Sequence, residues 1–298
     1  MSMSMSGLLT LLRPPNVFTA FADSFAGLVM LVGLDVAVPN GAWAIVAASG
    51  CLYLAGIVFN DVFDREVDAR ERPTRPIPSG AVLLRIAVLL AVVLMAAGVG
   101  IAWWVGRGPG LLAVALAGCI LVYDGGLKST VFGPPVMGAC RGLNMALGLS
   151  TGLALGARWP AIAVTGPVFL ALYVAGLTHL ARDEVGGNTA WRARAGVAFL
   201  AVLAIGAVIG IAAAPGLPGS PWAWPWVAFA LVLGVRNWAP VWRHHDPSST
   251  GRAIGGGIVL IPVLDAAVCA VTGEPWWAIA VAALTVPALV LKRHFSPT

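Results

Sequence analysis

In the stretch NDVFDREVDARERPTRPIPSG, residues 60–80, Asn60, Asp61, Asp64 and Asp68 recur at the three- and four-residue steps of a helical face. On a helix continuing out of the apolar run before them, all four are expected to project from one side over about two turns. Their oxygens are hard ligands suited to Mg²⁺, which takes one or two protein carboxylates and completes its octahedron with waters and phosphate oxygens. A diphosphate would complete such a site, and Arg72 and Arg75 follow as cations able to stabilise its charge. The alternative is a solvated helix end whose acids pair with Arg65, Arg70 and Arg72. An acid face this regular, directed into an apolar bundle, would be costly to maintain without a bound cation.

Further polar residues stand out against their apolar surroundings. Tyr123 and Lys128 lie in YDGGLK, residues 123–128, at the end of another apolar run. Arg141 and Asn144 are three apart and share a helical face, where substrate contact and interhelical hydrogen bonding are equally open. Asp23 and Asp265 are the carboxylates deepest in apolar segments, and such acids are functional candidates by default. Asp23 is expected on a cavity wall, and Asp265 in a helix–helix hydrogen bond or as a neutral acid. RHHDPSS, residues 243–249, reads as a polar loop, because the adjacent His244 and His245 point apart. Cys51, Cys119, Cys140 and Cys269 have no metal-ligand spacing and read as packing residues.

The elements that must position these groups are membrane helices. The chain of 298 residues is 59% hydrophobic and 10% charged, with a mean hydropathy of +0.89. Its apolar stretches lack the period of two of barrel strands, so each must satisfy its own backbone as a helix. Ten spans are expected, over 16–34, 41–60, 82–104, 109–124, 135–156, 160–181, 194–213, 222–239, 253–271 and 276–291. Together they form one transmembrane domain over 1–298, with 1–10 as a disordered leader that lacks signal-peptide features. With the N-terminus inside, 16 of the 18 Lys and Arg residues fall on the cytoplasmic side, only Arg107 and Arg158 lying outside. That places both termini and the polar loops in the cytoplasm, with the chain in the cytoplasmic membrane. It also makes the net charge of +5 a topology signal and excludes nucleic acid as the implied partner. Trp103, Trp104, Trp159, Trp222, Trp224, Trp276 and Trp277 gather at outer span ends as an interfacial belt.

The N-D-x-x-D-x-x-x-D pattern with its trailing ARERPTRPIPSG resembles the first aspartate-rich motif of the UbiA superfamily of intramembrane prenyltransferases. LLRPPN (11–16), YDGGLK, similar to the family's Tyr-x-x-x-x-Lys element, and LARDEVGG (180–187) fall in the family's order. The resemblance implies an all-α polytopic bundle, usually of nine spans, around a central cavity. It implies Mg²⁺ as cofactor, a prenyl diphosphate donor, and a small or lipid-borne acceptor inside the membrane. Asn60, Asp64, Asp68 and Asp183 would hold the metal; Asp64, Asp68, Asp183 and Lys128 would serve catalysis. Asn60, Asp61, Arg72, Arg75, Tyr123, Lys128, Arg141, Asn144 and Asp23 would bind substrate. The second motif departs from the family's D-x-x-G-D: Asp183 and Gly186 match, but Gly187 stands where the second acid belongs. Glu184 points about 100° away from Asp183 on a helix and cannot simply replace it. YDGGLKST with GPPVMGACRGLNMALG (133–148) looks like the EboC-type members of the superfamily. A terpene cyclase shares the first half of this chemistry; a transporter, the alternative of another class, would be expected to show internal repeats, and no convincing one is found.

Overall fold

The structure is a computed structural model that describes residues 5–155, 161–182, 190–213, 221, 223–244, 246–272 and 275–294. Within them the regular elements are helices, and no strand occurs among the described residues. In chain order they are α1 Met5–Leu12, α2 Pro14–Gly33, α3 Ala44–Phe63, α4 Arg65–Glu71, α5 Leu84–Val105, α6 Arg107–Asp124 and α7 Gly133–Leu149. There follow α8 Ala161–Arg182, α9 Ala190–Ala213, α10 Ala223–His244, α11 Pro247–Val271, α12 Pro275–Ala283 and α13 Thr285–His294. Short 3₁₀ segments cover Leu127–Ser129 and Ser150–Leu155.

Among the described residues, 6 helical stretches are long and apolar enough to cross a membrane: Met5–Gly33, Ala44–Phe63, Leu84–Val105, Arg107–Asp124, Ala163–Arg182 and Ser248–Val271. The others expected as spans are shorter, interrupted or, as with the 22-residue α10, less apolar. The fifth, at 135–156, turns from α7 into 3₁₀ geometry at Ser150, where Ser150 and Thr151 hydroxyls donate to the carbonyls three residues back. The tenth, at 276–291, breaks at Leu284 into α12 and α13. Leu89, Val92 and Val93 of α5 and Trp104 and Trp276 at helix ends are exposed, as lipid-facing and interfacial groups should be.

The leader expectation needs correcting, because Met5–Leu12 is helical. Leu11 is fully buried against Val58, Val62, Val82, Ala87 and Ala91, so apolar burial orders the segment. Residues 1–4 lie outside the described residues.

Without a hydrophobic drive between helices in lipid, close packing must hold them together, and small residues permit it. At the α2–α7 crossing Gly27 and Gly148 interlock: a Cβ on Gly148 would strike the Ser24 carbonyl oxygen, and one on Gly27 the Met145 carbonyl oxygen. Gly138 and Gly142 of α7 likewise sit against the Ala171 and Pro167 carbonyls of α8. α7 is thereby pinned between α2 and α8. α11 packs on α8 and α2, and α12 and α13 close the ring on α2.

Candidate active site

Six helices, α2, α3, α6, α7, α8 and α11, enclose a cavity of about 410 Å³. Its polar end carries Arg13, Asn60, Tyr123 and Asp124; its walls are apolar, with Leu116, Ile120, Val174, Leu177, Ile254, Ile258 and Ile261. Arg141, Asn144, Tyr53 and Thr19 form a second polar patch within it.

At the polar end, Asn60 comes from the last turn of α3 and Asp124 is the last residue of α6. Asn60 Nδ2 donates to Asp124 Oδ1 at 3.1 Å. Gly125 and Gly126 then turn the chain sharply, Gly126 at a φ of 148° that favours glycine, and Lys128 returns over the helix end. Its Nζ lies 2.5 Å from Asp64 Oδ1. Arg182, at the end of α8, holds this turn by donating from Nη2 to the Lys128 carbonyl at 2.9 Å. Carboxylate and carboxamide oxygens with a neighbouring ammonium are the donor set expected around a Mg²⁺–diphosphate. Among the described residues no three Asp, Glu, His or Cys side chains converge to hold a metal unaided, so phosphate oxygens and water would have to complete the shell.

The single acid face expected over residues 60–68 is divided in two. Seven residues are close to two helical turns, so Asp61 and Asp68 align with each other, about 100° round from Asn60. Arg75 Nη1 donates to Asp61 Oδ1 at 3.2 Å and to Asp68 Oδ2 at 2.8 Å, and Arg13 Nη2 donates to the same Asp61 oxygen. Arg13, φ 44°, sits in the left-handed region between α1 and α2 although it precedes a proline, a strained geometry that its ion pair with Asp61 accompanies. The arginines taken as alternative partners do otherwise: Arg65 pairs with Glu66, and Arg72 is exposed and joins none of these ion pairs. Asp68 is therefore clamped by Arg75 one helical turn beyond Asp64.

Deeper in the cavity, Arg141 Nη2 donates to Asp23 Oδ1 at 3.0 Å and the guanidinium lies over the Tyr53 ring, 5.7 Å from its centroid. Asn144 donates to Asp23 Oδ2 at 3.0 Å and to the Ala20 carbonyl at 2.9 Å, while its Oδ1 accepts from Ser49 at 2.7 Å. Asp23 is thus buried behind the cavity lining rather than on its wall. Asp265 is fully buried near Asp23, and among the described residues neither of its oxygens makes a hydrogen bond of normal geometry.

The structure thus brings together Asn60, Asp64, Lys128 and Tyr123 at one end, and Arg141, Asn144 and Asp23 deeper in. Asp183, Glu184 and Gly187 lie outside the described residues. Arg13 and Asp124 were both within motifs noticed in the sequence, but nothing local distinguished them; their partners are 48 and 64 residues away. Cys140 lines the cavity and is only half-buried, with Cys51 and Cys119 half-buried too, so of the four cysteines only Cys269 is a core residue. His245 is outside the described residues; Arg243 and His244 end α10 and Asp246 caps α11, so the RHHDPSS segment holds one helix end and the next helix start rather than a long polar loop.

A profile of the UbiA prenyltransferase family matches residues 20–254. The chain belongs to the UbiA prenyltransferase family. It is 35% identical over 272 residues to a digeranylgeranylglyceryl phosphate synthase of Halobacterium salinarum, covering 85% of this chain and 94% of that one. It is 34% identical over 147 residues to the protein of that name from Methanothrix thermoacetophila, covering 49% and 51%. The chain thus spans about half the length of the latter relative. A UbiA homologue from Archaeoglobus fulgidus, solved bound to GPP and Mg²⁺, superposes with a TM-score of 0.65 at 15% identity, over 93% of this chain and 99% of that one. One from Aeropyrum pernix gives 0.63 at 19%, over 81% and 94%. The UbiA member described here therefore has the helical-bundle fold of these homologues and is an integral membrane protein.

Proposed function

We propose that this UbiA protein transfers a prenyl group from a Mg²⁺-bound prenyl diphosphate to an oxygen-bearing acceptor within the membrane. The observation that carries the reading is the polar end of the cavity, Asn60, Asp124, and the Asp64–Lys128 pair, set over apolar walls wide enough for an isoprene chain. Bound there, Mg²⁺ would neutralise the diphosphate as its allylic C–O bond breaks with both electrons. Lys128, fixed by Arg182 and Asp64, places a second positive charge where negative charge develops. Tyr53 and Tyr123 supply aromatic faces to the allylic cation, and Ile254, Ile258 and Ile261 keep water out. The acceptor's nucleophile forms the new bond to carbon and gives up its proton to the released diphosphate.

Arg141 favours transfer over self-cyclisation of the donor. It is 7% exposed, lines the cavity, and its Nε has no hydrogen-bond partner among the described residues. A buried donor left open in the resting protein is best accounted for by a ligand oxygen. The relatives' name, digeranylgeranylglyceryl phosphate synthase, supports a lipid-borne acceptor. The test is turnover of radiolabelled geranyl diphosphate with a membrane lipid extract as acceptor source. Asp64→Ala is expected to abolish the Mg²⁺-dependent product while eluting as a folded protein; full activity in that variant would overturn the metal-assisted reading.

A further inference from the structure

We infer that Asp124 is a positioning residue that holds the Asn60 carboxamide oxygen-first toward the donor's cation. The inference rests on the donor-site reading above. An Asn side chain carries two chemically opposite ends, an oxygen that can ligate Mg²⁺ and an NH₂ that would repel it. Helical spacing brings Asn60 to the site but does not decide which end faces the cation.

Asp124 decides it. An ionised carboxylate only accepts hydrogen bonds, so whichever end of Asn60 meets Asp124 must be Nδ2. The contact is made: Nδ2 to Asp124 Oδ1, 3.1 Å. Asp124 is 5% exposed, has little water to turn to, and sits at the rigid end of α6. The Asn60 Oδ1 is consequently left without a hydrogen bond among the described residues, on the cavity lining, one helical turn from Asp64. Outer partners of this kind set the orientation of metal ligands, and losing one typically costs about 10- to 100-fold in metal affinity.

An Asp124→Asn side chain has nearly the same shape but can donate as well as accept, so it would tolerate either orientation of Asn60. An Asn60→Asp ligand, with two equivalent oxygens, has no orientation to lose. These two substitutions separate positioning from scaffolding. The measurement is Mn²⁺ binding to the purified full chain in detergent, read from the free Mn²⁺ EPR signal, with geranyl S-thiolodiphosphate as an unreactive donor. Asp124→Asn is expected to weaken Mn²⁺ binding about tenfold or more. In the Asn60→Asp background there is no orientation to lose and two carboxylates face each other, so the same change, which returns a hydrogen-bond donor to the pair, is expected to leave Mn²⁺ binding no weaker. Wild-type affinity in Asp124→Asn would overturn the inference and leave the donor site standing. A tenfold loss persisting in the Asn60→Asp background would also overturn it, because Asp124 would then act as a ligand or scaffold. Should Asp124→Asn alone fail to fold, the Asn60→Asp pair still decides. Absence of Mn²⁺ binding in the wild type would instead sink the donor-site reading itself.

Discussion

Arg141 and Asn144 share one face of α7 and one partner, Asp23, yet their polar atoms are spent differently. Asn144 uses both Nδ2 hydrogens and one acceptor site of its oxygen on α2 and α3, leaving no hydrogen to donate to a substrate. Arg141 satisfies Asp23 with one nitrogen and keeps Nε open. Asn144→Leu is therefore expected to act on stability: each buried group it strands costs about 1–3 kcal/mol, visible as a lower melting temperature in detergent. Arg141→Lys keeps a cation for Asp23 but loses the planar fork, so the melting temperature should hold while the lipid-extract concentration needed for half-maximal turnover rises about tenfold. An unchanged acceptor requirement would place Arg141 with Asn144 as packing. Arg141→Met strands Asp23 and is expected to destabilise by about 3–5 kcal/mol. Residue type and helical spacing made Asn60 and Asp64 legible as candidates in the sequence, and the resemblance of YDGGLK to a family element did so for Lys128. Asp124 and Arg13 were not, because their value lies in pairs made across the fold.

Helix termini and crossings decide where those residues end up. Asp246, extended at the N-cap of α11 with Pro247 as the first helical residue, accepts from the Ser249 amide at 2.6 Å and the Ser248 hydroxyl at 2.8 Å. These bonds favour the ionised form, chiefly the Ser249 amide bond, and hold the Asp246 carboxyl below the usual carboxylate range. A depressed folded pKa stabilises above the unfolded value, about 3.9, and that stabilisation is lost as pH falls through the folded value. Thermal unfolding of wild type and Asp246→Ala should thus differ at pH 7 and converge toward pH 3, with the wild type the more stable at pH 7. A constant difference across that range would remove the charge from the cap. The Asp-Pro-Ser-Ser signature of this start is readable in sequence as an N-cap followed by proline at the first helical position. The α2–α7 crossing was less legible, since a glycine's neighbour is a carbonyl on another helix. Gly148→Ala is expected to cost about 1–3 kcal/mol by forcing α7 off Ser24, and to disturb the cavity that α7 lines.

At the scale of the molecule, the hydropathy pattern made the helical bundle legible, because hydrocarbon leaves a backbone so few alternatives. The number of crossings was harder to read: the Ser150–Leu155 3₁₀ turn and the break at Leu284 interrupt stretches whose composition alone reads as continuous. Charge gives an independent handle on topology. On the ten-span reading of the sequence, only Arg107 and Arg158 of the 18 Lys and Arg residues would fall on the side opposite the donor-site loops, and Arg13, Lys128 and Arg182 gather at the polar end of the cavity. Moving such a cluster across a membrane is strongly disfavoured, so the donor-site end should face the cytoplasm, where a soluble prenyl diphosphate would meet it. The ten crossings expected from the sequence would return the C-terminus, with Lys292 and Arg293, to that same side. A C-terminal green fluorescent protein fusion is expected to fluoresce, and a C-terminal alkaline phosphatase fusion to be inactive. The opposite pair of results would mean that α12 and α13 together do not cross, giving nine spans and an outward C-terminus while leaving the donor site where it is. Changing Arg70, Arg72 and Arg85, which join no ion pair at the site, to glutamine should not invert either reporter if the remaining cytoplasmic cations suffice, since orientation is set by the summed bias over the loops rather than by one residue.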